Sequence, residues 1–315
     1  GRTKLKIRDR LLVSYDKFLL CGASGIALTT NTVAILDINN NPYNEYLGSL
    51  YSKAILKNPN RNIRNLDGIW MAVHNQNGII SHFIFEVLKR ILYVARLKKF
   101  KLLLTGEKLP KFLMDFFLVD SVLKDNILEI QVADPNTIYK ADKTLVCFEN
   151  EREMRPEDCL NFQWYGESVL QRNVVEKTFN EKVYISRRDS PESRSILNEY
   201  KLIELLGKRG YEITQLNELS LPEKLSFFKK ARKIITPAGS GALFRHMVST
   251  DGSLRILLSA TCVWTDYVLC ILGGGPRKES LDIFEPEQSL GSNQSNFLRN
   301  HASWWLPNSF FEQDF

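Results

Sequence analysis

Two neighbouring arginines, Arg187 and Arg188, directly follow a short apolar run, Val183–Ser186, that is typical of a strand. A guanidinium keeps its charge at all physiological pH values and can bind two oxygens of a diphosphate at once. In a parallel sheet, ligands bind beside the carboxyl ends of the strands, where these arginines are predicted to lie. The alternative is a solvated loop in which Asp189 and Glu192 balance the arginines.

A glycine-rich turn, Pro237–Gly241, connects a second predicted strand to a predicted helix, Ala242–Val248. Gly239 and Gly241 let the backbone approach a ligand closely, and the N-terminus of a helix offers N–H groups and partial positive charge to a phosphate. Ser240 can cap that helix or donate to a phosphate oxygen. The alternative is a plain strand-to-helix turn without a ligand.

A third polar group lies on the predicted helix Ser193–Lys208. Arg194 and Asn198 are four residues apart and therefore share one helix face, and Glu199 follows directly. Taken alone, this set is equally well interpreted as an ordinary solvated face.

The predicted amphipathic helix Ile79–Leu97 carries His82 and Glu86 four residues apart. A histidine with a carboxylate partner is a candidate general base for an acceptor hydroxyl. On spacing alone, a histidine with an ordinary satisfied hydrogen bond is the simpler interpretation.

Strands and helices alternate through most of the chain, which predicts a parallel α/β sheet. The pattern is clearest between residues 183 and 258, where it matches a Rossmann-like half. Residues 149–180 are more polar and are predicted to form a surface connection near a domain boundary. Three short apolar runs near the beginning are typical of strands, namely Leu11–Val13, Phe18–Leu20 and Val33–Leu36.

Composition limits the class of protein. A chain of 315 residues with 44% hydrophobic and 25% charged residues suits two folded domains and excludes a disordered or fibrous protein. The net charge of +6 fits an anionic ligand but is low for a dedicated nucleic-acid binder. The cysteines number 5 and are scattered, with no CxxC pair and no DxD motif in the chain, so neither a disulfide scaffold nor a metal site is predicted.

Taken in order, these segments resemble glycosyltransferase family 61. The family pattern has an arginine directly after a strand, an Asn-Glu pair on the next helix and a His-Gly-Ala-Gly-Leu turn. The chain departs from it at Ala238, where the family turn has its histidine, and the similarity extends over about residues 70–260. Five segments carry the resemblance: Val183–Arg188, Arg194–Glu199, the predicted helix before Ala231, Ile234–Leu243 and, upstream, His82–Leu88.

The resemblance implies a GT-B fold, with two Rossmann-like α/β domains that face each other across a cleft. An acceptor-side domain is predicted over residues 1–165 and a nucleotide-sugar-binding domain over 166–290. A tail over 291–315 is predicted to pack back on the first domain. The implied reaction is inverting transfer of a sugar from a nucleotide-sugar donor to a glycan hydroxyl, with no cofactor and no essential metal.

The implied nucleotide-sugar site consists of Arg187, Arg188, Arg194, Asn198, Glu199, Gly239, Ser240 and Gly241. Within it, Arg187 and the glycine turn would hold the donor diphosphate, and the Asn-Glu pair with Arg194 would support that site or touch the nucleotide. His82, backed by Glu86, would be the candidate base, and Glu86 itself is the alternative.

The implied partners are the donor and the glycan acceptor, without nucleic acid, while the oligomeric state and association with a membrane surface or a biosynthetic complex stay open. Unpaired cysteines and the missing anchor indicate a cytoplasmic enzyme of surface or capsular polysaccharide synthesis. The alternative location is the Golgi or ER lumen, if an anchor was removed. The competing functions are a catalytically inactive nucleotide- or polysaccharide-binding relative and a Rossmann-type oxidoreductase, which the missing dinucleotide fingerprint disfavours.

Overall fold

The chain divides into two compact units, Gly1–Glu153 and Met154–Phe315. The sequence prediction placed the domain boundary later, after residue 165. The computed structural model describes residues 11–21, 27–28, 62–74, 80–105, 110–134, 137–148, 154–188, 196–259, 279–284, 306 and 310–311. Backbone alone is described at 11–21, 27–28, 74, 82, 86, 146, 148, 259, 279–281 and 283–284.

The first unit is built on a mixed sheet of six described strands. They are β1 (Leu11–Cys21), β2 (Ala27–Leu28), β3 (Asn62–His74), β4 (Phe100–Thr105), β5 (Ile127–Val132) and β6 (Thr137–Phe148). Their order is β2-β1-β6-β3-β4-β5. The four strands from β6 to β5 are parallel, as predicted, whereas β1 pairs antiparallel with β2 and β6.

The beginning of the chain differs from its prediction. The two apolar runs within residues 11–20 belong to the single strand β1, because its pairing with β6 continues across the polar residues between them. The third run, Val33–Leu36, lies outside the described residues.

The helix that connects β3 to β4, here called α1, changes its winding along its length. It is α-helical over Ile80–His82, π-helical over Phe83–Leu88 and α-helical again over Lys89–Leu97. All described side chains of the π-helical stretch are buried. The predicted helix is therefore confirmed in position, but its middle has the wider i→i+5 hydrogen bonding that interrupts α-helices, frequently at functional sites. Two further helices, α2 (Lys111–Leu118) and α3 (Val122–Asn126), precede β5.

Strand β3 contains a bulge between Leu66 and Ile69 in its pairing with β6. Gly68 lies in this bulge with φ +91°, a conformation that side chains with a Cβ rarely adopt. Its N–H donates to the carboxylate of Asp142 on β6 at 2.9 Å. The bulge therefore requires glycine for its backbone conformation.

The second unit is built on a sheet of five described strands, all parallel. They are β7 (Lys182–Ile185), β8 (Glu212–Thr214), β9 (Lys233–Pro237), β10 (Ser253–Ser259) and β11 (Glu279–Phe284). Their order is β11-β10-β9-β7-β8. The Rossmann-like pattern predicted for this half is confirmed, and β11 adds a strand that the sequence reading did not include.

The described helices of the second unit include one that was not predicted. They are α4 (Pro156–Arg172), α5 (Glu199–Lys208), α6 (Leu221–Lys230) and two 3₁₀ helices, Leu216–Glu218 and Ser240–Met247. The prediction of a surface connection over 149–180 is wrong where α4 lies. Four apolar residues at helical spacing, Cys159, Phe162, Tyr165 and Val169, are buried on one face of α4, but polar neighbours mask that periodicity in the sequence. Among the described residues, no helix has both the length and the apolar character needed to cross a membrane.

Candidate functional site

The order of the second sheet changes direction between β7 and β9. From β7 the chain moves outward to β8, and then returns to the opposite side of β7 to form β9, β10 and β11. In open parallel sheets, ligands bind at such a switch point, outside the carboxyl ends of the two strands. A ligand is therefore expected beside the residues that follow β7 and β9.

Arg187 follows β7 and reaches across to the residue that follows β9. Its guanidinium Nη1 donates to the carbonyl oxygen of Ala238 at 2.5 Å. Its own backbone N–H donates to Oε1 of Glu199 at 3.3 Å. Both ends of this partly buried arginine are thus held, so its charge is fixed at the switch point rather than mobile in solvent.

Gly239 allows that close approach. A Cβ at this position would lie 2.8 Å from Nη1 and 3.3 Å from Cζ of Arg187. Its φ of 176° is ordinary extended backbone, so the need for glycine here comes from space and not from conformation. The predicted turn and the predicted arginine are therefore in direct contact.

The segment after the turn is helical, but it is not an α-helix. It is a 3₁₀ helix, Ser240–Met247, whose N-cap is Gly239. Of the two predicted roles of Ser240, the helix cap is therefore wrong, and donation to a phosphate oxygen stays a prediction. Gly241 packs closely against Leu216, because a Cβ there would lie 2.5 Å from Cδ1 of Leu216 and would displace the end of that side chain. The start of this helix and the guanidinium of Arg187 lie next to each other and both attract an anion.

Helix α4 packs directly against this 3₁₀ helix. A Cβ at Gly166 would lie only 1.8 Å from the carbonyl oxygen of Met247, which is backbone and cannot move aside cheaply. Glycine at this position therefore lets the two helices pack at backbone contact.

The residues that follow β7, Ser186, Arg187 and Arg188, are here called the arginine loop. Glu199 is buried next to this loop. Its Oε1 accepts the hydroxyl of Tyr184 at 2.8 Å in addition to the N–H of Arg187, and its Oε2 lies 3.8 Å from Nε of Arg188. Burial, and then the charge of Glu199, hold the pKa of Tyr184 well above its usual value, so this hydroxyl stays a donor. Glu199 accordingly positions the loop that carries Arg187.

Asn198 is also buried, and its side chain bonds to a distant segment. Nδ2 donates to the carbonyl oxygen of Leu306 at 2.8 Å, and Oδ1 accepts the N–H of Leu306 at 2.9 Å. The predicted tail was expected on the first domain, yet Leu306 and Phe310 pack into the core cluster of the second unit, beside Tyr184.

The other predicted residues are placed less fully. The side chain of Arg188 is about half exposed, at 51%, and its Nε faces Glu199. Arg194 lies outside the described residues, and the predicted start of its helix at Ser193 is replaced by a start at Glu199. His82 and Glu86 lie in α1 as predicted, but their side chains lie outside the described residues.

Two residues of this arrangement were not identified from the sequence. Tyr184 stands inside an apolar strand and carries no polar spacing signal, although a buried tyrosine usually requires a hydrogen-bond partner. Leu306 bonds to Asn198 through its backbone groups, and no residue pattern reveals such a bond. No group of three His, Cys, Asp or Glu side chains arranged to hold a metal ion occurs within the described ranges.

A comparison with known protein families agrees with these observations. The profile of the family described as Glycosyltransferase 61 matches residues 80–253, more than half of the chain. The match includes α1, the arginine loop after β7 and the turn after β9. No curated protein matches the chain. The chain therefore belongs to glycosyltransferase family 61.

Proposed function

We propose that this protein is an inverting glycosyltransferase that takes a sugar from a nucleotide-sugar donor and transfers it to a glycan hydroxyl. Membership of family 61 indicates glycosyltransferase activity. The observation that supports the donor site is the contact of the Arg187 guanidinium with the Ala238 carbonyl, beside Gly239, at the switch point of a parallel sheet.

In the proposed reaction, the acceptor oxygen attacks the anomeric carbon of the donor sugar from the face opposite the leaving group. The new C–O bond forms as the bond to the diphosphate oxygen breaks, and the acceptor proton passes to the base. We assign that base to His82, supported by Glu86 on the same helix. The departing nucleoside diphosphate gains negative charge, which Arg187 and the start of the 3₁₀ helix Ser240–Met247 stabilise.

We also propose that this transfer needs no metal ion, because a fixed guanidinium and oriented backbone N–H groups supply positive charge at the leaving diphosphate. The proposed architecture is GT-B, with the two α/β units facing each other across a cleft. The proposed setting is cytoplasmic synthesis of a surface or capsular polysaccharide. The two cysteines that the structure describes, Cys147 and Cys159, are buried and are not joined by a disulfide bond, which accords with a reducing compartment.

The first experiment identifies the nucleotide. Thermal-shift titrations with UDP, GDP, CMP, ADP and NAD should show stabilisation by one nucleoside diphosphate or monophosphate, since a ligand of the native state raises Tm. Stabilisation by NAD alone would contradict the proposal and favour the oxidoreductase alternative.

The second experiment separates the two roles. With the matching nucleotide sugar, His82→Ala should lose transfer while its nucleotide affinity stays unchanged, and Arg187→Ala should lose nucleotide affinity. Arg172→Ala, an exposed arginine at the end of α4, is the matched control and should change neither. Near-normal transfer by His82→Ala would remove the base assignment, and retention of configuration in the first product, seen by proton NMR, would remove the inverting mechanism.

A second candidate function is a binding protein without catalysis. It is favoured by Ala238, which provides no side chain for proton transfer where the family turn has histidine, although its carbonyl still binds Arg187. Transfer, or slow hydrolysis of the nucleotide sugar, by the wild-type protein would exclude it.

A further inference from the structure

The side chain of Asn198 and the backbone of Leu306 form a reciprocal pair of hydrogen bonds. The two bonds measure 2.8 and 2.9 Å and join residues 108 positions apart. A carboxamide has one donor end and one acceptor end, so it pairs with a backbone N–H and C=O in the way that a neighbouring strand does. Both residues are buried, which makes the loss of either bond costly.

Leu306 belongs to a wider contact, here called the late anchor, which consists of Leu306, Phe310 and Phe311. Leu306 and Phe310 are almost fully buried in the core cluster that contains Tyr184, and Phe311 packs against that cluster. Phe310 also lies under the guanidinium of Arg255, at 5.5 Å from Cζ to the ring centroid. The late anchor is therefore part of the folded second unit.

Two short paths lead from the late anchor to the arginine loop. Asn198 is followed directly by Glu199, whose carboxylate accepts the N–H of Arg187. Tyr184 touches the anchor through the apolar cluster and donates its hydroxyl to the same carboxylate. Each path ends at Oε1 of Glu199, so displacement of the anchor disturbs the group that fixes the position of Arg187.

We propose that Asn198 is a positioning residue, which couples docking of the late anchor to binding of the donor diphosphate by Arg187. This inference rests on the diphosphate site proposed above. Because coupling between two sites is reciprocal, a docked anchor strengthens diphosphate binding, and a bound diphosphate stabilises the docked anchor to the same extent. Asn198 itself need not touch the nucleotide.

The test uses the full chain, with inorganic pyrophosphate as the probe and UDP as a second probe. Asn198→Asp keeps the acceptor for the Leu306 N–H but places a carboxylate oxygen against the Leu306 carbonyl. We expect its pyrophosphate Kd, measured by calorimetry, to rise about tenfold, the worth of one hydrogen bond. Ser220→Ala, which weakens the cap of α6, controls for a general loss of stability and should leave Kd unchanged.

Hydrogen exchange at the Leu306 amide distinguishes coupling from a merely structural role. If the contact were only structural, the exchange rate would not respond to pyrophosphate. In the wild-type protein, saturating pyrophosphate should slow exchange at this amide, and in Arg187→Ala it should have no effect. This measurement decides the question even if Asn198→Asp does not fold.

The outcomes separate the two proposals. If the wild-type protein binds neither pyrophosphate nor UDP, the diphosphate site itself is wrong and the coupling falls with it. If the wild type binds and Arg187→Ala weakens binding, but Leu306 exchange does not respond to the ligand, the site stands and the coupling is overturned.

Discussion

The two units place different residues within two positions of the carboxyl ends of their parallel strands. In the first unit the sequence continues with Asn75 after β3, Glu107 after β4, Asp134 after β5 and Glu149 after β6. In the second unit, Arg187 follows β7 and Gly239 follows β9, and the two are in contact. Positive charge and a glycine thus follow β7 and β9 of the second unit, whereas carboxylate and amide groups follow the parallel strands of the first. The carboxyl ends of β7 and β9 therefore suit a diphosphate better than the strand ends of the first unit do.

Glycine also serves different purposes in the two units. Gly68 in the first unit needs its positive φ, and the nearest atom to a Cβ there would be Cε of Lys101, at 3.8 Å. In the second unit, Gly166 and Gly239 both allow close approach, one to a backbone carbonyl and one to a guanidinium. Gly68 therefore serves backbone conformation, as Gly210 (φ +79°) does in the second unit, whereas Gly166 and Gly239 serve close approach, and mutations can test this difference.

The largest effect is expected for Gly166→Ala. Because the new methyl group would press on the backbone carbonyl of Met247, we expect unfolding free energy to fall by roughly 3 kcal/mol, at the upper end for overpacking. Urea denaturation measures it. Gly207→Ala in α5, where nothing lies within 4 Å of the new Cβ, is the control and should be neutral or stabilising. Equal stability of Gly166→Ala and the wild type would show that α4 does not fix the 3₁₀ helix.

A pair of buried tyrosines, one in each unit, gives the next effect. Tyr184→Phe removes the hydroxyl donor to the Glu199 carboxylate, so we expect a loss of about 2 kcal/mol, typical of a hydrogen bond to a charged group. Tyr139→Phe removes only an acceptor for the N–H of Asp134, and should cost about 1 kcal/mol. If the two losses were equal, the charge of Glu199 would have no special role.

The pH dependence of Tyr184 sharpens the same comparison. Because burial and Glu199 raise its pKa in the folded state, its contribution to stability is fully present below the usual pKa of about 10 and is lost as pH rises through the raised value. Above pH 10, the free energy of unfolding, measured by urea denaturation at each pH, should therefore fall more steeply with pH for the wild type than for Tyr184→Phe.

The sequence predicted the second unit better than the first, for a physical reason. Short buried parallel strands such as β9 appear as compact apolar runs between helices, and the turn after β9 is marked by its glycines. Strand β3, in contrast, mixes polar and apolar residues over 62–68, where it also contains a bulge, so its strand signal is confined to the apolar run 69–73 and the sequence analysis did not identify it. For the site, residue types pointed to Arg187, Glu199 and Gly239, but the hydroxyl of the buried Tyr184 on Glu199 and the Leu306 backbone on Asn198 could not be inferred from spacing.

Substitution of Gly239 in the turn after β9 should affect ligand binding more than it affects stability. In Gly239→Ala the new Cβ meets the flexible end of Arg187 and not backbone, so the guanidinium moves away. We expect pyrophosphate affinity to fall about tenfold, equivalent to about 1.4 kcal/mol, the worth of one charge-assisted hydrogen bond. Gly68→Ala in the first unit should do the reverse. It should cost about 1 kcal/mol of stability because of its φ, and should leave that affinity unchanged. Unaltered pyrophosphate affinity in Gly239→Ala would show that the turn is not part of the diphosphate site.

The smallest effect tests the frame of the second unit away from its strand ends. Ser220 caps α6 by accepting the N–H of Glu223, while the Glu223 carboxylate accepts the backbone N–H of Ser220 in return. Ser220→Ala should cost about 1 kcal/mol of unfolding free energy at neutral pH. Since the bonds from Ser220 lower the pKa of Glu223, the stabilisation is present above the usual glutamate value and is lost as pH falls through the lowered one.

Glu223→Gln separates the charge from the hydrogen bond, because the amide oxygen can still accept but no longer titrates. Its stability should not show the part of the acid-induced loss that Glu223 causes in the wild type, as followed by urea denaturation from pH 7 to pH 3. If Ser220→Ala cost as much unfolding free energy at pH 3 as at pH 7, the ionised carboxylate of Glu223 would not be the group that stabilises the cap. Neither variant should alter pyrophosphate affinity, because the bonds of this cap join Ser220 and Glu223 to each other at the start of α6.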